Sequence, residues 1–484
     1  MPPRKGTSNA EPRFAIAIMA AGKGTRLKSK HPKVMHEIGG KPLLQYVIDA
    51  AKSILPAHDI FVIIGHEAER VREAMAGNGV NFVLQAEQLG TGHAVMSAQQ
   101  ALASYDDVLV LSGDVPLLRA ETIRAIRDFH LQQHAAMTIL SAEFPDPTGY
   151  GRIVRKKKTG KATDEVDAIV EQKKLTSQQA KIREANSGIY AFATKPLFDN
   201  LRELRTDNPH REYYLTDVAA ILARKRARVV VLKVSFAHEV AGANNRLELA
   251  QLDVEARARK AAELMSNGVT IFRPDTCVID SEVMVGTDTV IEPFVQLLGR
   301  TRIGADCRIQ SYSVITSSEI GDGVHVRHGS IITDSRVAQG AVIGPYSHLR
   351  PGSDIGQEAH VGNFVETKKA KLGRGAKANH LTYLGDAVVG ERVNVGAGTI
   401  TCNYDGVNKN TTVIEDGAFI GSDSTLVAPV KIGRNAYVGA AACITDDVPA
   451  DALAIARSRQ VNKEGWAKAK RQKAKAQLAT EDTE

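Results

Sequence analysis

The 484-residue sequence is poor in aromatic residues and in cysteine, and it contains no long apolar run. Aromatic residues make up only 5% of the chain, so its core has to be filled largely by aliphatic side chains and alanine, as in strand-rich solenoids. None of the four cysteines belongs to a CxxC pair, which argues against a zinc or disulfide framework and predicts a cytoplasmic location. No stretch approaches the ~18 apolar residues of a membrane span, so we expect no membrane insertion.

The excess of positive charge is small and unevenly placed. The formal net charge of +7 arises from 62 Lys and Arg against 55 Asp and Glu, and much of it lies in Arg4, Lys5 and the run AKAKRQKAK at 467–475. Such a run can bind nucleic acid, but a solvated, disordered end is the simpler interpretation. Because the remainder is near charge balance, we expect phosphate-bearing small molecules rather than nucleic acid as ligands.

Strand and helix patterns alternate through residues 1–244. A buried strand at 14–20 is followed by a glycine-rich loop, a helix at 43–54 and a second strand at 59–64. This alternation predicts an α/β domain with a mostly parallel, doubly wound, Rossmann-like sheet. Ligands of such sheets bind at the carboxyl ends of the strands.

A linker and a change of period follow. Apolar residues at helical spacing predict a connecting helix over 245–267. Beyond it, aliphatic–glycine pairs recur at separations that are often six or a multiple of six, as at Ile343-Gly344, Ile355-Gly356 and Val361-Gly362. This period predicts a parallel β-helix of hexapeptide repeats over 268–454, whereas a β-sandwich would need alternating strands at irregular spacing.

Two segments depart from the hexapeptide repeat. The pattern breaks at 397–417, which predicts an inserted loop projecting from one face of the solenoid, where such proteins commonly bind ligands. Residues 455–484 are expected to form a carboxyl-terminal segment with the basic, disordered tail.

The first candidate site follows the first strand. The loop at 20–26, AAGKGTR, can wrap phosphate oxygens with its backbone N–H groups, and Lys33 adds a second cation to that of Arg26. The segment LQAEQLGTGH at 84–93 is rich in amide and backbone donors able to contact the edge of a base. Asp114 ends a strand, which is a suitable place for a carboxylate that holds Mg²⁺ over phosphates.

The second candidate site lies on corners of the predicted solenoid. Residues about 18 apart occupy successive coils, so Glu366 and Tyr383, 17 apart, are expected on the same face, with Lys368 and His380 near them. A histidine that accepts a proton from an attacking amine suits acyl transfer. A catalytic zinc site would need three converging ligands, and the histidines 325, 328, 348, 360 and 380 contain no unambiguous trio.

Several motifs then point to one family. MAAGKGTRLKSKHPKV, LQAEQLGTGHA, SGDVPL, DPTGYGRIV and GANNR resemble, in the same order, the bacterial bifunctional N-acetylglucosamine-1-phosphate uridylyltransferase/glucosamine-1-phosphate acetyltransferases, over about residues 16–466. Met19 replaces the usual leucine, and Ser112 stands where an aromatic residue is common. The resemblance implies synthesis of UDP-N-acetylglucosamine, a precursor for peptidoglycan and lipopolysaccharide.

For the first domain, the resemblance implies Mg²⁺-dependent uridylyl transfer from UTP to N-acetylglucosamine 1-phosphate with release of pyrophosphate. The implied metal ligands are Asp114 and Asn244. The implied nucleotide contacts are Ala20, Ala21, Gly22, Arg26, Lys33, Gln85, Gly90 and Thr91, and the implied sugar-phosphate contacts are Gly151, Glu171, Asn186 and Asn244.

For the second domain, the resemblance implies that the β-helix is left-handed. It also implies acetyl transfer from acetyl-CoA to glucosamine 1-phosphate in a homotrimer whose sites lie between subunits. His380 would be the general base, supported by Glu366. The implied sugar-phosphate contacts are Arg350, Lys368, Tyr383, Asn394 and Lys409, and the implied acetyl-CoA contacts are Ala397, Asn403, Tyr404, Ser422, Ala440 and Arg457.

Two other hypotheses share the same folds. One is a sugar-1-phosphate nucleotidyltransferase whose β-helix only oligomerises, which predicts that an acetylation site is missing, although His380 and Tyr383 are present. The other is a non-enzymatic assembly subunit, which predicts a decayed phosphate loop, although Arg26, Lys33 and Asp114 are intact.

Overall fold

The structure is a computed structural model that describes residues 12–158, 161–208 and 210–481. The chain divides into two compact units, Met1–Lys260 and Ala261–Glu484. Arg4 and Lys5, at the predicted basic amino end, lie outside the described residues.

The first unit is built on a nine-stranded mixed sheet beside a small two-stranded hairpin. The strands are Phe14–Met19 (β1), Glu37–Ile38 (β2), Lys41–Pro42 (β3), Ile60–Ile64 (β4), Asn81–Leu84 (β5), Asp107–Ser112 (β6), Met137–Glu143 (β7), Arg152–Lys158 (β8), Lys161–Val170 (β9), Glu184–Ala193 (β10) and Val229–Lys233 (β11). The order in the sheet is β5-β4-β1-β6-β10-β7-β11-β9-β8, and β2 and β3 form the hairpin. Strand β1 pairs in parallel with β4 and β6, while β10 runs antiparallel to β6 and β7.

Helices cover both faces of this sheet. Alternate residues of β1 point to opposite faces, so Ala15 and Ala17 pack in one apolar core while Ile16 and Ile18 pack in the other. Because β1 is buried on both faces, its sequence is a continuous apolar run. The helices are Leu43–Lys52 (α1), Ala68–Met75 (α2), Thr91–Ser97 (α3), Gln99–Leu102 (α4), Ala120–Gln133 (α5), Thr194–Leu201 (α6) and Asp217–Arg224 (α7).

The predicted connecting helix is present as Arg246–Ser266 (α8), and the boundary between the two units falls within it, after Lys260. Its first half packs Leu252 and Ala256 against Ile38 and Leu43 of the first unit.

The second unit is a left-handed parallel β-helix with three stacked sheets. Its first sheet contains Thr270–Ile271, Val290–Ile291, Arg308–Ile309, His325–Val326, Val342–Ile343, His360–Asn363, Lys377–His380, Asn394–Val395, Phe419–Ile420, Tyr437–Val438 and Leu453–Ala454. The second contains Val278–Ile279, Gln296–Leu298, Val314–Thr316, Ile331–Thr333, His348–Leu349, Glu366–Lys368, Tyr383–Gly385, Ile400–Cys402, Thr425–Val427 and Cys443–Ile444. The third contains Met284–Val285, Arg302–Ile303, Glu319–Ile320, Arg336–Val337, Asp354–Ile355, Lys371–Leu372, Ala387–Val389, Thr412–Ile414 and Val430–Ile432.

Aliphatic side chains fill the interior of the solenoid. Ile343 pairs with Val361, and Val361 pairs with Ala378, so equivalent positions recur at steps of 18 and 17 residues. These residues are buried in one continuous apolar core, which explains the low aromatic content, because a stack of short strands accommodates branched aliphatic side chains. The hexapeptide period therefore predicted the architecture, and the β-sandwich alternative is wrong.

The predicted insertion interrupts the stack once. Val395 pairs with Ile420, a step of 25 residues, whereas Ile420 pairs with Val438 at the usual step of 18. The extra residues form a loop closed by an antiparallel bridge between Tyr404 and Lys409.

The carboxyl-terminal segment differs from the expectation of a disordered tail. The structure has a helix, Trp466–Glu481 (α9), over this basic run. The run consists mainly of alanine, lysine, arginine and glutamine, which are strong helix formers, and it contains no glycine or proline. This composition accounts for the difference. Residues 482–484 lie outside the described part. No helix within the described residues is long and apolar enough to cross a bilayer.

Two neighbouring valines test how the solenoid is stabilised. On the strand Ala387–Val389, Val389 is 2% exposed inside the stack and Val388 is 42% exposed on its surface. We expect Val389→Ala to lower the free energy of unfolding by about 2 kcal/mol, because it removes buried methyl groups and leaves a cavity. Val388→Ala is the matched control and should change stability by less than about 0.5 kcal/mol. If urea unfolding showed the same loss of unfolding free energy for both variants, this packing would be contradicted.

Candidate active sites

A cavity of about 800 Å³ opens at the carboxyl ends of β1 and β6 in the first unit. Ligands bind at this edge in sheets of this kind. The lining includes these residues predicted from the sequence: Arg26, Thr91, Asp114, Gly151, Glu171, Asn186 and Asn244.

Asp114 is held at this edge by backbone contacts. The N–H of Gly113 donates to the carbonyl of Met19 at 2.9 Å, which joins the ends of β6 and β1. The N–H of Ala243 donates to the carbonyl of Asp114 at 3.3 Å. A Cβ on Gly242 would lie 3.2 Å from Oδ2 of Asp114, so glycine allows the two segments to approach closely.

Asn244 is positioned by the start of α8. Oδ1 of Asn245 accepts the N–H of Glu248 at 2.9 Å, as in an N-terminal helix cap. Oε2 of Glu248 in turn accepts the N–H of Asn244 at 2.8 Å. The glutamate was not singled out from the sequence, although its place three residues after an Asn is the usual spacing of a capping box.

Two cations meet the oxygens of Asp114 and Asn244. Nζ of Lys33 forms an ion pair with Oδ2 of Asp114 and donates to Oδ1 of Asn244 at 3.0 Å. Nη2 of Arg26 donates to the same Asn244 oxygen at 3.0 Å. The two predicted metal ligands therefore face one position that already accommodates a cation, and carboxylate and amide oxygens are ligands that Mg²⁺ prefers.

The glycine-rich loop lies beside these cations, but part of the predicted nucleotide set is engaged elsewhere. Gly24 has φ of 62°, and Gly22 has open space where a Cβ would project. Gln85 is buried, and its Nε2 donates to the carbonyl of Gly90 at 3.2 Å, so this side chain shapes its own loop. The predicted residues outside the cavity lining are Ala20, Ala21, Gly22, Lys33, Gln85 and Gly90.

The predicted sugar-phosphate contacts Gly151, Glu171 and Asn186 also line the cavity. The N–H of Asn186 donates to the carbonyl of Gly151 at 2.9 Å, and its side-chain amide donates to the hydroxyl of Tyr190 at 2.8 Å. Oε1 of Glu171 accepts the hydroxyl of Thr216 at 3.1 Å, and burial raises the pKa of Glu171. Tyr190 and Thr216 are partners that no sequence motif indicated.

In the second unit, the strand register brings the predicted acetylation residues together. Glu366 pairs with Tyr383 on successive coils, which confirms the spacing argument. Nη1 of Arg350 donates to Oε1 of Glu366 at 2.8 Å. The ring of Tyr383 lies where a Cβ on Gly385 would be, so glycine leaves room for the phenol.

His380 has a partner other than the predicted one. Its Nδ1 lies 3.0 Å from Oδ1 of Asn363, and the two residues are paired across adjacent coils. Glu366, predicted to support the histidine, binds Arg350 instead. If Nδ1 carries the proton given to Asn363, Nε2 is left with a free lone pair, which is the form of imidazole that can accept a proton.

Positive charge collects beside these residues. The ammonium groups of Lys368 and Lys409 lie next to each other, and this contact lowers the pKa of Lys368. Like charges placed together cost free energy unless an anion binds between them, so the pair suits a phosphate.

Of the predicted acetyl-CoA contacts, Ala397, Ser422 and Ala440 lie along one column, Asn403 and Tyr404 lie on the inserted loop, and Arg457 follows the last strand. Ser422 follows Gly421 directly, and a Cβ on Gly421 would lie 2.5 Å from the N atom of Ala440 on the next coil. Nδ2 of Asn403 donates to Oδ2 of Asp386 at 2.5 Å. Tyr404 and Arg457 are exposed. Asn394, a predicted sugar-phosphate contact, pairs with Lys377 on the preceding coil.

The described residues contain no cluster of three or more His, Cys, Asp or Glu able to hold a metal ion, so the histidines of the solenoid do not converge.

Comparisons with known proteins agree with this arrangement. The family described as MobA-like NTP transferase domain matches residues 16–259, and the family described as bacterial transferase hexapeptide (six repeats) matches residues 411–446. A protein of Koribacter versatilis named "Bifunctional protein GlmU" is 63% identical over 95% of this chain and 97% of its own length. The chain belongs to the GlmU family. Proteins of the same name from Shouchella clausii and Clostridioides difficile are 47% and 46% identical, over 94% and 95% of this chain and 99% and 98% of their own lengths.

Family membership confirms the resemblance drawn from the motifs. As a GlmU protein, the chain is a bifunctional uridylyltransferase and acetyltransferase of UDP-N-acetylglucosamine synthesis. The two alternatives, a purely oligomerising β-helix and a non-enzymatic subunit, are wrong.

The contact between Asn363 and His380 yields a prediction. Asn363→Ala removes the acceptor for the Nδ1 proton, and the loss of one hydrogen bond of about 1.4 kcal/mol corresponds to about tenfold. We therefore expect acetyltransferase kcat to fall about tenfold while uridylyltransferase kcat is unchanged. Asn435→Ala is the control, because Asn435 donates a side-chain bond to Asp451 at another corner. An unchanged acetyltransferase kcat in Asn363→Ala would show that Asn363 does not contribute to acetyl transfer.

Proposed function

We propose that Asp114 and Asn244 are the ligands of the Mg²⁺ used in uridylyl transfer, and that Arg26 and Lys33 bind the phosphates of UTP. The observation that carries this proposal is the meeting of two cations with two oxygen ligands at the edge of the cavity. When held by Asp114 and Asn244, Mg²⁺ would supply positive charge that reduces the repulsion between the nucleotide phosphates and an incoming anion.

The proposed reaction needs no protein nucleophile. A phosphate oxygen of N-acetylglucosamine 1-phosphate forms a bond to the α-phosphorus of UTP, and the bond from that phosphorus to the bridging oxygen of the β-phosphate breaks. Pyrophosphate leaves with the bonding electrons. Arg26 and Lys33 offset the charge that develops on it, so positioning and electrostatics supply the rate.

The sugar phosphate would occupy the cavity, and the nucleotide would extend from it along the glycine-rich loop. The glycine-rich loop, with backbone N–H groups near Gly22 and Gly24, would hold the nucleotide phosphates, with Gln85, Gly90 and Thr91 toward the base. The remaining contacts of the proposed nucleotide and sugar subsites are Ala20, Ala21, Gly151, Glu171 and Asn186.

In the second unit, we assign His380 as the general base of acetyl transfer. Its Nε2 takes a proton from the amine of glucosamine 1-phosphate as the nitrogen attacks the thioester carbonyl of acetyl-CoA. The C–N bond forms, the C–S bond breaks, and the CoA sulfur leaves as a thiolate that takes up a proton. The hydrogen bond from Nδ1 to Asn363 supports this assignment, because it keeps Nε2 free to accept.

The substrates of this step would lie along the charged corner and the inserted loop. Lys368 and Lys409 would bind the sugar phosphate together with Arg350, Tyr383 and Asn394. Acetyl-CoA would follow the column and loop formed by Ala397, Asn403, Tyr404, Ser422, Ala440 and Arg457. Acetylation precedes uridylylation, because its product is the acceptor of the second reaction. We place both reactions in the cytoplasm, where UTP and acetyl-CoA are made.

Two single substitutions separate the activities. We expect His380→Ala to lower thiol release from acetyl-CoA by about 10²–10⁴-fold, the usual contribution of a general base, and to spare pyrophosphate release from UTP. Asp114→Ala should do the reverse. Each variant serves as the folding control for the other activity. If His380→Ala left acetyl transfer unchanged, the base would have to be another group.

We also propose that the protein is a homotrimer in which a neighbouring subunit covers one corner of the solenoid. Phe294 stacks on Tyr312 at 5.1 Å between ring centroids, and Tyr346 stacks on Phe364 at 5.8 Å, all four largely exposed. The column continues to Leu381, beside His380. An exposed apolar stripe of this length is typical of a contact between chains, and a second copy seated there would border the acetylation site.

Sedimentation measures the number of chains in the oligomer directly. We expect the full-length protein to sediment with the mass of three chains. The double variant Tyr346→Ser/Phe364→Ser should dissociate and lose acetyl transfer before uridylyl transfer. Val388→Ser, on the surface of the third sheet, is the control and should remain a trimer. Sedimentation of the unsubstituted protein as a single chain would refute the trimer.

A further inference from the structure

The ammonium of Lys33 occupies the position between the two proposed metal ligands. It contacts Oδ2 of Asp114 and donates to Oδ1 of Asn244 at 3.0 Å. The contact is largely shielded from water, because the side chains of Lys33 and Asp114 are only 16% and 21% exposed. Lys33 thus places a cation between the two proposed metal ligands.

An ammonium and a divalent ion cannot share these oxygens. Mg²⁺ needs its oxygen ligands at about 2.0–2.1 Å, and it demands a nearly octahedral shell that leaves no space for a second cation between the same two side chains. The two positive charges would also repel each other at contact distance. Metal binding must therefore displace Lys33.

The stem of Lys33 lies between the metal position and the phosphate loop. A Cβ on Gly24 would lie 2.6 Å from the Cβ of Lys33, so the base of the lysine side chain rests against the loop. Lys33 begins a short helical turn immediately after Pro32, which fixes its backbone. With its base fixed, rotation about the outer torsions carries the ammonium from Asp114 toward any phosphate held by the loop.

We propose that Lys33 is an exchangeable cation that couples metal binding to nucleotide binding. Without nucleotide it holds the metal position closed, and the phosphates of UTP draw it away and open that position. This inference rests on the proposed assignment of Asp114 and Asn244 as metal ligands. Since coupling between two ligands is reciprocal, the factor by which nucleotide tightens metal binding equals the factor by which metal tightens nucleotide binding.

The test is the affinity of the full-length protein for Mn²⁺ without nucleotide, measured from the electron paramagnetic resonance signal of free Mn²⁺. Lys33→Met keeps the length of the side chain and removes its charge, so we expect at least tenfold tighter Mn²⁺ binding. Lys33→Arg retains a cation and should bind Mn²⁺ as weakly as the unsubstituted protein. Lys41→Met is the matched control, because Lys41 is also 16% exposed and pairs with Asp49 at 2.8 Å, and it should change nothing.

A second measurement adds a non-reacting UTP analogue with a methylene bridge between the α- and β-phosphates. The analogue should tighten Mn²⁺ binding in the unsubstituted protein by at least tenfold more than it does in Lys33→Met, where no cation has to leave. In the presence of the analogue, the Mn²⁺ affinity of Asp114→Ala measures how much of the metal binding comes from the phosphates without the proposed carboxylate ligand.

The outcomes distinguish the two proposals. Unchanged or weaker Mn²⁺ binding by Lys33→Met without nucleotide, together with weakened binding by Asp114→Ala, would overturn the exchange and leave the metal ligands standing. Equal Mn²⁺ affinity of Asp114→Ala and the unsubstituted protein in the presence of the analogue would overturn the metal assignment and the exchange with it.

Discussion

Parallel strand pairing determines where chemistry can occur in both units. In the first unit, β1 and β6 pair in register up to Met19 and Ser112, so the glycine-rich loop and Asp114 leave the sheet side by side. In the second unit, the pairing of Asn363 with His380 stacks side chains that are 17 residues apart in the chain. A slip of one residue would turn these side chains to the opposite face, so the buried aliphatic residues that fix the register also hold the sites together.

The two sites handle positive charge in different ways. In the first unit, the carboxylate of Asp114 offsets the charge of Lys33, and Lys33 and Arg26 both donate to the side-chain oxygen of Asn244. In the second, Lys368 and Lys409 lie against each other, and their repulsion is expressed as a lowered pKa of Lys368. An anion that binds this pair relieves the repulsion, whereas an anion that binds the first site has to compete for cations already in use.

Features that repeat along the chain were predictable from the sequence. Alternating patterns indicated the doubly wound sheet, a six-residue period indicated the solenoid, and the spacing of Glu366 and Tyr383 placed them on successive coils. The partner of His380 was not predictable, because Asn363 and Glu366 both lie one coil away and only the direction of a side chain at the corner decides between them. Composition also could not separate a disordered tail from the helix Trp466–Glu481, because its charged residues are strong helix formers.

The inserted loop enters and leaves the solenoid without altering the coils around it. Beyond it, Ile420 pairs with Val438 at the ordinary step, as though the extra residues were absent. Each coil of a solenoid contacts only its immediate neighbours, so the change in chain length is absorbed locally. The solenoid thus contains a position at which a loop can change in length while the coils on either side keep their packing, so binding residues can be added there without rebuilding the core.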